Sequence, residues 1–161
     1  MSRVPPEEQL SVQRVDDEED VERVNAFFNT KAIKDELHRF TYRTTLDRAF
    51  ERDDRRLLYV ESDWEIAGAL MVWCESRVLD PEEGQIRLVA VHPDHRGQGI
   101  ARALCKEAET FAVASGKEKV SADVAQDSSA VEFWLSCGYD IAYEWATDNG
   151  RDMYRVENNL N

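Results

Sequence analysis

Apolar residues along this chain recur at helical spacing in its first third and at strand spacing in its middle. Val21, Val24, Phe27 and Phe28 mark one helix face. Asp16 and Asp17 are placed to cap the first amides of that helix, and Glu18 to Asp20 suit the positive end of its dipole. A second helical stretch is expected from Ile33 to Phe50, with Ile33, Leu37, Phe40 and Leu46 as its apolar face. From Arg56 the period shortens. Leu57 to Val60 and Ile66 to Trp73 read as neighbouring antiparallel strands around the polar break Glu61-Ser62-Asp63. The turn cluster Asp80 to Gly84 leads into Ile86 to Val91, a buried strand stopped by Pro93.

Further on, Ile100, Leu104, Ala108 and Phe111 share a helix face, with Ala101, Cys105 and Ala112 beside them and Gly116 able to end the helix. Val120 to Val124 reads as a short strand. Another helix opens on the capping-box pattern Ser129 to Glu132 and ends at Gly138. Tyr139 to Trp145 and Met153 to Val156 flank Asn149-Gly150, a hairpin-like turn. Residues 1–9, with Pro5-Pro6 and few apolar anchors, read as a flexible N-terminal arm leading into a short strand from Leu10 to Val15. Residues 10–161 are then expected to form a single domain, the organisation favoured by 161 residues at 42% hydrophobic composition.

Composition narrows the function classes. The 33 acids outweigh 20 Lys and Arg for a net charge of −13, and only five of those bases are lysine. A nucleic-acid partner, tRNA included, needs a broad basic surface, which this balance disfavours. The same excess suits a salt-rich medium, where carboxylates keep a surface hydrated and their repulsion is screened. Its long-range field favours a cationic partner. The longest mainly apolar run, Ile66 to Cys74, is too short to cross a bilayer, and the first residues lack an apolar leader, so a cytoplasmic protein without a membrane partner is expected. Three widely spaced cysteines with no CxxC pair predict neither disulfide nor metal, and Cys105 and Cys137 read as small hydrophobes.

One stretch carries chemistry. A strand ends at Val91, a turn places Gly97 and Gly99 one residue apart, and a helix begins at once. Without Cβ atoms there, a diphosphate can approach backbone amides closely, and the helix N-terminus adds unpaired N–H groups and a favourable dipole. Between Ile86 and Lys106, four Arg or Lys and two histidines face a single acid, Asp94, which makes this the most basic window of the chain. A Walker loop would need Gly-Lys-Ser/Thr where Gly99-Ile100-Ala101 stands, and a dinucleotide fingerprint would need a third glycine.

Leu88 to Leu104 resembles the acetyl-CoA-binding segment of the GNAT N-acetyltransferases, whose pattern Gln/Arg-x-x-Gly-x-Gly/Ala reads here as Arg96-Gly97-Gln98-Gly99-Ile100-Ala101. The resemblance continues from Asp127 to Tyr139 through Ala130, Gly138 and Tyr139. It implies an α/β (α+β) fold: a mixed, mostly antiparallel sheet of six to seven strands with helices on both faces, splayed beside Val89 to Val91. It implies that backbone groups of Val89, Ala90 and Val91 hold the pantetheine arm. Amides from Gly97 to Arg102 would hold the diphosphate, with charge added by Arg96 and Arg102. The activity implied is acyl transfer from acetyl-CoA to an amine of a small molecule or protein, by direct attack in a ternary complex without metal.

Three polar positions depart from the family's usual pattern. Asp127 stands where a CoA-contacting asparagine is common, Gln85 where a central-strand glutamate is common, and Trp134 where a tyrosine often protonates the departing thiolate. Indole cannot be that acid. Transfer survives its loss, because a thiol of pKa roughly 8.5 leaves tolerably as thiolate. Asp123 is the candidate general base, Glu83 and Glu75 are weaker ones, and Tyr143 is a substitute acid. Trp64, Trp73 and Trp145 read as core or groove-lining aromatics, and His92 and His95 receive no catalytic role. A noncatalytic acyl-CoA-binding module of the same fold is the alternative reading. The C-terminal strands are compatible with a homodimer.

Overall fold

The computed structural model describes residues 10–160. The arm at 1–9 lies outside the described residues. Asp17, in extended conformation, opens α1 (Glu18–Phe28) by accepting the amide of Asp20 at 2.8 Å, and Val21, Val24, Phe27 and Phe28 are buried on one side, as their spacing predicts. The expected long helix over Ile33 to Phe50 is instead two, α2 (Lys31–Leu37) and α3 (Arg43–Glu51). His38 leaves α2 with φ 55°, and the loop after it is pinned to α1: Asn25 and Asn29 donate to the Thr41 carbonyl, and the Thr41 amide donates to Asn29 Oδ1. Phe40 is therefore off the apolar face, 52% exposed.

Seven strands follow in sheet order β1-β2-β3-β4-β5-β7-β6. They are β1 (Gln13–Arg14), β2 (Arg55–Ser62), β3 (Glu65–Trp73), β4 (Glu83–Val91), β5 (Lys119–Ala125), β6 (Asp140–Ala146) and β7 (Asp152–Asn159). Only β4 and β5 run parallel. Joining them is α4 (Ile100–Ala114), and α5 (Ala130–Ser136) follows β5. One sheet face packs Leu57, Tyr59, Leu88 and Ala90 against α1, α2 and α3. The other packs Leu58, Val60, Ile86 and Val120 against Leu104, Ala108 and Phe111 of α4 and Trp134 of α5. Burial on both faces is what makes the central strands read as nearly continuous apolar runs. Among the described residues, no helix is long and apolar enough to cross a membrane.

Two local expectations are corrected. Asp63 and Trp64 adopt φ 52° and 70° in a two-residue turn between the paired Ser62 and Glu65, so the Trp64 indole is 94% exposed and belongs to neither core nor groove. At α5 the Ser129 side chain makes no capping bond; Ser128 Oγ accepts the amide of Ala130 at 3.0 Å instead.

An interruption in β4 shapes the centre of the sheet. Met71 of β3 lies opposite Leu88 and Val72 opposite Ile86, which makes Arg87 the extra residue of a bulge. Burial parity flips across it, because Ile86 joins the α4 side while Leu88 and Ala90 join the α1 side. Pairing of β4 with β5 stops at the same point, at Ile86↔Ala122. Past it, β4 follows β3 as far as Val91↔Gly68, and β5 follows β7 as far as Ala125↔Met153. The sheet splits between Arg87 and Asp123.

Candidate active site

The split leaves the β5-facing N–H and C=O groups of β4 from Arg87 onward without a strand partner. Buried backbone groups in that state need another acceptor or donor. They open onto a cleft of ≈ 770 Å³ that runs along Val89, Ala90 and Val91 to the turn before α4. Its far end is made by Arg96, Gly97, Gly99, Ile100, Ala101 and Arg102. Gly97 and Gly99 both have φ 80°, a left-handed conformation that favours glycine, and α4 starts directly after the second. Among the described residues, no acceptor is found for the amides of Gly97 through Ala101. A row of unsatisfied N–H groups at the N-terminus of a 15-residue helix is suited to an anion. The Arg96 guanidinium is tied to the Glu36 carboxylate, and Arg102 donates to Ser136 Oγ at 3.3 Å.

Two of the expected contact residues stand apart from this wall. Gln98 is not on it, and the Asp127 side chain is 85% exposed, with Arg151 Nη2 at 3.7 Å. The wall opposite β4 comes instead from Ser128, Ser129, Ala130, Phe133 and Trp134. Trp134 is buried edge-on to Tyr139, whose ring centroid is 4.9 Å away. Burial and the neighbouring Glu109, which accepts the Tyr139 hydroxyl at 2.6 Å, push that phenol far up from its ordinary pKa.

On the other side of the split lies a smaller cavity of ≈ 170 Å³, sharing Glu36, Val89, Ser128, Ala130 and Trp134 with the cleft. Arg87, Asp123, His38 and Arg151 add polar groups to it. Of the three candidate bases, Asp123 alone lines either the cleft or the smaller cavity. Its Oδ1 accepts Arg155 Nε at 2.7 Å and Trp145 Nε1 at 3.1 Å, and its Oδ2 accepts Arg155 Nη2 at 3.3 Å. Glu83 is buried, bonded to Ser121 Oγ and to Arg155 Nη1 at 3.2 Å. Glu75 holds Lys117 Nζ at 2.6 Å. Tyr143 sits on edge strand β6, half exposed under the Arg155 guanidinium, and lines neither cavity.

A polar chain links these groups under the split. Arg87 Nη1 donates to Gln85 Oε1 at 2.5 Å, Gln85 Nε2 donates to Ser121 Oγ at 3.4 Å, Ser121 donates to Glu83, and Arg155 bridges Glu83 and Asp123. From Arg87 through Gln85 and Ser121 to Glu83 each hydrogen is given in the same direction, and Arg155 donates to both acids at the far end. An amide at 85 satisfies that polarity, whereas a carboxylate there would have to compete with Glu83 for the one Ser121 hydrogen. Arg87, Ser128, Phe133 and Arg155 were not foreseen as site residues. The usable signal was Arg87 itself, a charge inside the otherwise apolar run Ile86 to Val91.

The acetyltransferase (GNAT) family matches residues 19–139. The chain belongs to this family. An acetyltransferase of Pectobacterium atrosepticum is 34% identical over 86 residues, covering 53% of this chain and 57% of that protein, and one of Sodalis glossinidius is 33% identical over the same shares. The alignments thus span little more than half the length of these curated relatives. The fold is similar to that of an aminoglycoside 6'-N-acetyltransferase complexed with coenzyme A, with TM-score 0.76 at 11% identity over 94% of this chain and 98% of that one. It is also similar to spermidine N-acetyltransferase of Vibrio cholerae in complex with CoA and spermine, with TM-score 0.73 at 17% identity over 95% and 96% of the two chains.

Proposed function

We propose that this GNAT chain transfers an acetyl group from acetyl-CoA to an amine by direct attack in a ternary complex. The observation that carries the reading is the split after Ile86↔Ala122, which exposes a strand edge leading to the acceptor-less amides of Gly97 to Ala101. A pantetheine arm has the length and amide groups to continue the broken ladder along Val89 to Val91. The diphosphate then meets the α4 N-terminus. The acceptor enters from the smaller cavity, and the shared wall at Val89 and Trp134 is where the two substrates meet. Holding both in one geometry supplies most of what such a reaction needs, since a bimolecular step becomes effectively unimolecular.

The amine nitrogen attacks the thioester carbon, the C–S bond breaks with its electron pair on sulfur, and the amine proton leaves to water at the cavity mouth. Backbone N–H near Val91 polarises the carbonyl oxygen. We assign Asp123 an orienting role rather than that of proton acceptor, because three donors from Arg155 and Trp145 already occupy its carboxylate. Cytoplasmic location and a single functional domain over residues 10–161 accord with this reading.

Gly99→Glu tests it, since that change sets a carboxylate at the diphosphate and a non-glycine residue at φ 80°. Wild-type protein should gain thermal stability with acetyl-CoA and release CoA thiol with some amine of a broad panel, and the variant should do neither. A noncatalytic acyl-CoA-binding module is favoured by Trp134 in place of a tyrosine and by Tyr143 lying outside both cavities. Acetyl-CoA binding by wild-type protein without thiol release above background for any amine would establish that alternative and sink acetyl transfer.

A further inference from the structure

A net charge of −13 favours cationic acceptors at long range, yet the acceptor cavity is locally balanced, with Arg87 and Arg151 against Glu36 and Asp123. Both acids on its wall are already engaged, Glu36 with Arg96 and Asp123 with Arg155. Arg87 is different. Among the described residues no carboxylate lies within ion-pair distance of it, and its hydrogen bond goes to the neutral Gln85 Oε1. Its guanidinium lies 4.4 Å from the centroid of the Trp73 ring, which Arg55 covers at 3.6 Å. Burial pulls the Arg87 pKa below its ordinary value; Asp123 opposes that, and Arg39 and Arg155 add to it. Of the two arginines on the wall, Arg151 faces Asp127 at 3.7 Å, which leaves Arg87 as the one without a carboxylate partner, while Arg155 behind the wall is shared between Asp123 and Glu83. Beside it a hollow that shares His38 brings Lys34 and Arg39 together with Asp35.

A guanidinium held over an aromatic ring, with part of its donor fork unspent in a cavity, is suited to take a carboxylate in two parallel hydrogen bonds. We propose that the acceptor is an amino acid or similar small amino-carboxylate, bound through its carboxylate by Arg87. The cavity's ≈ 170 Å³ suits a molecule of that size. Its amine then faces the split in β4, and transfer gives the N-acetyl amino-carboxylate and CoA thiolate, with the proton passing to water. Gln85 is the complement of this arrangement. A carboxylate at 85 would sit where Gln85 Oε1 now accepts from Arg87 and would neutralise the fork internally.

This proposal rests on the acetyl-transfer reading, and one experiment separates their failures. Thiol release is measured with α-amino acids and with the matching carboxamides, with rates referred to the free amine. Loss of one charge-assisted, bidentate contact is worth on the order of tenfold or more in kcat/KM. Wild-type protein should therefore prefer carboxylate over carboxamide at least about tenfold, a ratio that falls toward one in Arg87→Met and in Gln85→Glu. Gln85→Glu keeps the Arg87–Trp73 stack, so it decides the matter if Arg87→Met melts early. A wild-type ratio at or below one overturns the proposal outright, as does an unchanged ratio in a folded variant of either kind. No thiol release with any amine would instead strike the underlying reading.

Discussion

Gly68 of β3 offers a test in which two physical effects have opposite signs. A Cβ at this position would lie 2.6 Å from Ile100 Cγ2, 3.2 Å from the Ala90 carbonyl oxygen and 3.3 Å from Leu104 Cδ1. On backbone entropy alone, Gly68→Ala inside a strand gains about 0.5–1 kcal/mol. Packing opposes it. Carbon atoms sit at roughly 3.5–4.0 Å, so Ile100 must retreat by about 1 Å. Ile100 Cγ2 branches directly from Cβ in the first turn of α4, and that atom cannot swing away without moving the helix. Overpacking costs about 1–3 kcal/mol, and a 2.6 Å contact with an atom that cannot swing away belongs in the upper half of that range, about 2–3 kcal/mol, leaving a net loss of about 1–2 kcal/mol after an entropy gain of about 1 kcal/mol.

For a domain of this size such a loss lowers Tm by about 2–8 °C. It should also raise KM for acetyl-CoA, because the helix that retreats begins immediately after Gly99. The assay is urea unfolding of wild type, Gly68→Ala, Ile100→Ala and the double variant. In the double variant the added methyl takes up part of the space left by Cγ2, so its loss should be smaller than the sum by about 1 kcal/mol. A Gly68→Ala protein as stable as wild type, or an additive cycle, would refute close packing of α4 on β3.

Two further outcomes follow from charge. The Tyr59 hydroxyl donates to Asp20 Oδ2 at 3.1 Å and Gln13 Oε1 at 3.2 Å, and burial first, then Asp20, pushes it up to about 12. An unfolded tyrosine ionises near 10, so the stabilisation is fully present below pH 10 and is lost as pH rises to about 12, at up to about 1.4 kcal/mol per unit. Tyr59→Phe should flatten that alkaline slope by one proton, and an unaltered slope would contradict the assignment. With a net charge of −13, Tm should rise steadily from low salt to molar potassium chloride; equal or greater stability in low salt would remove self-repulsion as a significant term.

Much of the frame was legible because its signals are local. Asp17 ahead of Val21 to Phe28 is a cap followed by one apolar face, and the structure has both. The apolar side of α4 likewise appears as Ile100, Leu104, Ala108 and Phe111. The break between α2 and α3 was hidden, since it depends on Asn25 and Asn29 of α1 reaching Thr41, a tertiary contact that leaves no period in the sequence. Trp64 misled for a related reason. Its size favours burial, but the two-residue spacing between Ser62 and Glu65 obliges it to turn. Within the site, Gly97 and Gly99 were readable from turn chemistry, whereas Asp127 points to solvent and its neighbours Ser128 and Ser129 form the wall.

Arg87 ties the remaining features together. As the extra residue in β4 it breaks the ladder to β3 at Met71/Val72, and pairing with β5 ends beside it at Ile86↔Ala122. The strand edge that would receive the pantetheine arm thus begins at the same residue whose side chain lines the acceptor cavity. A charged side chain at an uninterrupted position of a strand packed on both faces would carry a heavy desolvation cost. A bulge relieves it by re-aiming the side chain, and Trp73 together with Gln85 accepts the guanidinium without neutralising it. The amide at 85 and the arginine at 87 therefore belong to one device. Restoring a carboxylate at 85 while leaving Arg87 in place should preserve the split in the sheet and the acetyl-CoA thermal shift, and should remove only the discrimination between carboxylate and carboxamide acceptors.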